Sequence, residues 1–415
     1  MADFYQTGIV ATLHRLRPKE YDRLERDMLE FADQSRVGLV LPALYSEFET
    51  PSMSQIVSEL RHVRFVKEIV VVLGRATREQ YLKARAFFDD FPYPVTFVWI
   101  DSPRTQGLIN TLNENGLSPG EDGKGRSCWM AYGYLLAKGT VDVIALHDCD
   151  ILNYDREFVA RLCYPVVNTN FGFEFCKGFY ARVSNRMQGR VTRLFMSPLI
   201  RSMESLAVGN PFLRFIDSFR YPLAGEFAMR ASLARMNRIP GDWGLEVGVL
   251  SEVFRNRATS RVCQVDLADN YDHKHQVLSA DDPTKGLRRM TTDIAKSLFR
   301  TLGGEGVVFT KEHFRTLQIR YVRIAEDMIS RFYADAMLNG LEFDRNDEEH
   351  YVHVFAQSLK DAAEAYNVDP LGSPLIPNWA RVLSALPDFG DQLVESIHSD
   401  MEIGSSETES QATPV

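Results

Sequence analysis

The sequence predicts an alternating β/α fold followed by a helical C-terminal region, on three observations. From Val37 to about Leu146 short β-branched runs alternate with segments of helical period. The first of these runs and the last, apart from its Asp142, are apolar, as strands covered on both faces must be. Beyond Asp282 apolar residues recur at three- and four-residue spacing, the mark of amphipathic helices.

The spacing predicts strands at Val37–Leu41, Glu68–Leu73, Val95–Ile100 and Val141–Leu146, with helices at Ser52–Val63, Arg78–Asp89 and Arg126–Ala137 between them. Residues 113–125 are polar and glycine-rich and read as a loop at the sheet's edge, where open α/β sheets hold ligands. After Asp150 a strand is expected at Phe171–Ala181, helices near Val191–Leu206, Glu226–Met236 and Leu245–Phe254, and a strand at Arg261–Leu267. Helices at Leu287–Leu302, Lys311–Leu338, Glu348–Tyr366 and Trp379–Ala385 follow. The 415 residues thus divide into an N-terminal helical segment (1–36), an α/β domain (37–280, with halves 37–150 and 151–280), a helical region (281–400) and a disordered polar tail (401–415). The helical region is a candidate for homodimerisation.

Composition removes several function classes. The 56 acids against 47 bases give a net charge of −9, which disfavours nucleic acid and anionic lipid unless the bases cluster. Runs such as Ile69 to Leu73 are far short of the ~20 apolar residues of a membrane helix. The first residues interleave acids with bases and do not read as a signal peptide. Five cysteines without a C-x-x-C pair suit a reducing compartment. A cytoplasmic protein, bound to neither nucleic acid nor membrane, is expected.

Asp148-Cys149-Asp150 closes the fourth apolar run, where strand alternation puts both carboxylates on one side. Two acids there suit a hard cation such as Mg²⁺ or Mn²⁺ together with a diphosphate, although a solvated turn has the same sequence. Their place after the fourth strand is that of a GT-A (Rossmann-like) nucleotide-sugar transferase. Gly120-Glu121-Asp122-Gly123-Lys124-Gly125 fails the Walker spacing, which excludes an ATPase, yet Lys124 before a helix can approach a phosphate. Eight bases from Lys177 to Arg220 face only Glu204 and Asp217 in that stretch. They read as either a small anion site or a salt-bridged surface. Around Glu246, glycines suggest a close approach to ligand, although capping explains the acid equally well. His273 and His275 follow the last expected strand, where an imidazole can complete a metal shell or simply be exposed.

These residues together resemble the glucosyl-3-phosphoglycerate synthases. Pro42-Ala43-Leu44, Gly123-Lys124-Gly125, Asp148-Cys149-Asp150, Gly189-Arg190-Val191-Thr192, Pro222-Leu223-Ala224-Gly225-Glu226, Gly244-Leu245-Glu246-Val247-Gly248 and His273 stand in the family's order over roughly residues 37–300. The resemblance implies a GT-A domain with donor half 37–150 and acceptor half 151–280, a divalent metal, a nucleotide-sugar donor and 3-phosphoglycerate. It implies that Pro42, Ala43 and Leu44 line the uridine pocket, with Glu47 and Cys149 nearby, and that Lys124 and Asp148 contact the donor. Asp150 and His273 would hold the metal, Gly189, Arg190 and Thr192 the acceptor, with His275 in the place of an asparagine, and Glu246 would lie near the sugar. The chain departs from the family's pattern at Tyr45-Ser46-Glu47, Leu73-Gly74-Arg75 and Asp242-Trp243-Gly244. A mannose donor, another small acid acceptor and a degenerate nucleotide-sugar-binding scaffold are the alternatives.

Overall fold

A computed structural model of the chain describes residue 6 and residues 8–17, 19–241, 244–271, 278–282 and 284–403. The chain forms two compact units, neither continuous in sequence. The strand-rich unit holds Arg15–Gly178, Gly225–Gly241 and the stretch from Leu375 onward; the helical unit holds residues up to His14, Phe179–Ala224 and Asp242–Pro374. Described strands are β1 (Ala11–Leu13), β2 (Val37–Leu44), β3 (Val66–Gly74), β4 (Val95–Trp99), β5 (Val143–Leu146), β6 (Phe175–Tyr180), β7 (Phe227–Arg230) and β8 (Val262–Ala268).

In the strand-rich unit the order is β6-β7-β5-β2-β3-β4. β5, β2, β3 and β4 run parallel, while β7 is antiparallel to both β5 and β6. β5 is buried throughout and β3 at every residue but Lys67, as strands covered on both faces of a parallel sheet are. Proline at the first helical turn and a serine cap start the helix Pro103–Glu114, where Ser102 Oγ accepts from Thr105 N at 3.0 Å. One expected element differs. Residues 226–236, rich in helix formers, are not one helix: β7 occupies Phe227–Arg230 and only Ala231–Met236 is helical. Pairing of β7 with two strands outweighs a local propensity of a few tenths of a kcal/mol per residue.

The helix Lys124–Lys138 is buried along most of its length. Trp379 stacks on its Trp129 with ring centroids 4.2 Å apart, and each indole donates to a carbonyl of the other segment, Trp129 Nε1 to Pro377 O and Trp379 Nε1 to Trp129 O. Gly133 leaves the room this needs, since a Cβ there would overlap the Trp379 ring. The helix Phe389–Met401 also belongs to this unit: Arg104 Nη1 pairs with Asp400 at 2.8 Å and Tyr81 Oη donates to Asp400 O.

In the helical unit β1 and β8 pair in parallel. The helices Gly286–Gly304, Lys311–Leu338 and Arg345–Val368 pack on one another around Phe299, Phe309, Phe314 and Tyr366. The helix expected at Val191–Leu206 opens with a π turn, Val191–Met196, and continues as an α-helix over Ser197–Glu204. Tyr321 Oη donates to Leu194 O at 2.8 Å and pins that turn to the long helix behind it. Among the described residues no helix is long and apolar enough to cross a membrane.

Candidate functional site

At the carboxyl end of β5 the chain runs through His147 into Asp148-Cys149-Asp150. Lys124, the first residue of its helix, places Nζ 2.7 Å from Asp148 Oδ1, with both side chains about one-third exposed. The backbone around them is crowded. A Cβ on Gly225 would overlap the Asp148 carboxylate, and one on Gly125 would overlap the Pro240 carbonyl oxygen. Both glycines therefore permit approaches no other residue allows. Ser52 Oγ donates to Cys149 O at 3.1 Å and fixes the turn. Cys149 itself is 3% exposed, and burial pushes its thiol well up.

Burial, and next the charge of Asp148, raise the Asp150 carboxyl above the usual carboxylate range, Lys124 acting in the opposite sense. As carboxylates the two aspartates are hard oxygen donors that fit Mg²⁺ or Mn²⁺, which typically take one or two carboxylates plus waters and substrate phosphates, and a cation there would favour the ionised form of Asp150. Among the described residues no three His, Cys, Asp or Glu side chains converge on one point. His273, expected as a metal ligand, and His275, expected at the acceptor, lie outside the described residues, as do Asp242 and Trp243. His147 is fully buried, its pKa pushed down to about 3 by that burial, so it is neutral.

Pro42, Ala43 and Leu44 end β2, with Leu44 42% exposed. Glu47 accepts from Leu44 N at 2.6 Å and caps the short helix Tyr45–Phe48. The glycine-rich loop before Lys124 is tied down by Asp122, which pairs with Arg75 and Arg126, each at 2.8 Å. Burial would raise the Asp122 carboxyl, but the two guanidiniums outweigh it and hold the pKa below the ordinary 3.8. Nothing in the local sequence announced Ser52 or Arg75.

In the helical unit Gly189 takes φ +69°, a left-handed turn that glycine adopts at little cost, and Arg190 and Thr192 open the helix that follows. Arg190 meets acids that sequence proximity could not reveal. Its Nε donates to Glu348 Oε1 at 2.7 Å and its Nη2 to Asp347 Oδ2 at 2.6 Å, while its carbon Cζ lies 4.3 Å from the centre of the Tyr351 ring. Arg193 shares Glu348 through Nη1 at 2.8 Å. Two of the eight bases are thus compensated by distant acids, and Lys177 is buried in β6 at 1% exposure. Glu246 stands in the first turn of the helix Leu245–Asn256, in the same unit, and is buried.

No family model matches the chain. It is 45% identical to the glucosyl-3-phosphoglycerate synthase of Persephonella marina over 400 residues, 96% of this chain and 99% of that one. Identity to the synthase of Methanococcoides burtonii is 38% over 405 residues, 96% and 98% of the two chains. The glucosyl-3-phosphoglycerate synthase of Mycobacterium tuberculosis, crystallised with Mn²⁺, UDP-glucose and phosphoglyceric acid, matches with a TM-score of 0.53 and 25% identity. That match covers 71% of this chain and 88% of the other.

Proposed function

The chain belongs to the glucosyl-3-phosphoglycerate synthase family, and from that premise we propose how its own residues divide the work of a hexosyl transfer. Glucose passes from a uridine-diphosphate donor to the 2-hydroxyl of 3-phosphoglycerate. The observation that carries this reading is the Lys124–Asp148 pair at the end of β5, with Asp150 beside it.

Asp150 and His273 would hold the divalent ion, which when bound would neutralise charge on the departing diphosphate. Lys124 does the same from the protein side, aided by the positive end of its helix. Asp148 keeps the ammonium in place until the donor arrives. Pro42, Ala43 and Leu44 form one wall of the uridine pocket, next to Glu47 and Cys149. Gly189, Arg190 and Thr192 take the acceptor's phosphate, His275 its other end, and Glu246 the sugar. The acceptor oxygen bonds to the anomeric carbon from the face that the diphosphate leaves, and its proton passes to a donor phosphate oxygen. Configuration is retained, and no side chain forms a glycosyl ester.

The test is release of uridine diphosphate measured over a panel of glucose and mannose donors with 3-phosphoglycerate and glycerate. Turnover with UDP-glucose and 3-phosphoglycerate is expected, and none with any pair would leave only a binding scaffold. Five buried free cysteines support a cytoplasmic setting. Ile319, Tyr333, Met337 and Leu338, exposed along one helix, support a homodimer that sedimentation would detect.

A further inference from the structure

We infer that Glu348, on the helix Arg345–Val368, is a positioning residue for the acceptor: it sets the guanidinium of Arg190 in the orientation that meets the acceptor's phosphate. The inference rests on the reading of Gly189–Thr192 as the acceptor segment. It adds a residue that lies 158 positions away in sequence.

One helix determines where the Arg190 guanidinium lies. Glu348 takes the Nε edge, Asp347 takes Nη2, and Tyr351, one turn further on, lies under the plane. Nη1 has no hydrogen-bond partner among the described residues, so the fork is held on two sides and open on the third. Arginine binds phosphate through paired N–H groups in a fixed plane, so fixing the plane fixes the recognition.

Glu348 is the fixed member of the acid pair. Its side chain is 5% exposed and bridges Arg190 and Arg193, whereas that of Asp347 is 38% exposed and makes one of these contacts. A carboxylate so buried stays only because two guanidiniums compensate it. Asp347, nearer to water, is the group that an incoming phosphate can replace. The helix Arg345–Val368 therefore reaches the acceptor chemistry through the guanidinium of Arg190.

The experiment is steady-state kinetics of Glu348→Gln, Arg190→Ala and the double variant, with 3-phosphoglycerate and UDP-glucose varied in turn. Glu348→Gln should raise the KM for 3-phosphoglycerate roughly three- to tenfold, the size of one weakened hydrogen bond. The kcat and the donor KM should hold within about twofold. In the Arg190→Ala background the same substitution should add nothing, a non-additivity that general support of the fold would not produce. Equal rises in both backgrounds, or a fall in KM showing Glu348 to be a competitor of phosphate, would overturn the inference. If Arg190→Ala raises the KM and Glu348→Gln does not, the positioning role alone fails. An unchanged KM in Arg190→Ala removes the acceptor assignment and this inference with it. Should Glu348→Gln be too unstable to assay, Tyr351→Leu must give the same Arg190-dependent rise, and its absence refutes the idea equally.

Discussion

The strand-end cluster and the arginine cluster are charged sites built in opposite ways. At the end of β5, among the described residues, burial and the charges of Asp148 and Glu47 raise the Asp150 carboxyl, with Lys124 acting against them. In the helical unit Arg190 and Arg193 meet Asp347 and Glu348, two of each sign. The first site, as proposed, would gain its compensating charge from a divalent ion. The second is complete as folded and offers a ligand only an edge. Ligand loss should therefore be severe at the first and graded at the second.

The largest effect should come from Asp150→Ala, which would remove the proposed oxygen ligand of the divalent ion. Turnover should drop on the order of 10³-fold and titration with Mn²⁺ should not restore it. Normal activity across that titration would break the contrast at its stronger end. Next, Arg190→Ala should raise the KM for 3-phosphoglycerate roughly ten- to a hundredfold, while unphosphorylated glycerate, if used, changes far less. Equal losses with both acceptors would assign Arg190 to the fold or to the carboxylate. Gly225→Ala should push Asp148 aside and raise the donor KM about tenfold, with the acceptor KM unmoved. Parallel changes in both constants would show that Gly225 serves the sheet and not the donor.

The smallest effect concerns the loop before Lys124. Asp122 has its pKa lowered in the folded state, so its contribution to stability is present above the ordinary 3.8 and fades as pH falls below it. Asp122→Asn should lower the Tm at pH 7 by at most about 2 °C, because the ion pairs are partly exposed. The difference from the parent should close as the pH falls through the folded pKa. A gap that persists at lower pH would mean that packing of the loop, and not charge, is what the substitution disturbs.

Much of the strand-rich unit was readable because its signals are local. β2 and β5 are unbroken apolar runs, and Asp148-Cys149-Asp150 follows one of them directly. The same holds for the helix Lys311–Leu338, whose capping threonine and apolar spacing lie within a few residues of each other. β7 was misread because its identity comes from β5 and β6, far away in sequence, and not from the Ala and Met residues it contains. The partners of Arg190 were illegible for a similar reason. Asp347 and Glu348 sit in the first turn of a helix, where acids are expected for the dipole alone, and only the fold brings them to an arginine. Ser52 shows the limit at short range: one hydroxyl at the start of a helix reads as helix chemistry, while its hydrogen bond goes to the turn that carries the two aspartates.

The stacking of Trp379 on Trp129 has a consequence for how the protein is made. The helix that presents Lys124 leaves the ribosome early, yet the ring that covers Gly133 belongs to a segment synthesised only after residues 242–374. At translation speeds of about 5–20 residues per second the interval from Lys138 to Trp379 is on the order of tens of seconds. During it the surface around Gly133 that Trp379 covers in the folded protein is without that cover. A chain interrupted within residues 242–374 lacks Trp379 and the helix Phe389–Met401, so the packing on the lysine-bearing helix waits for segments far later in the sequence.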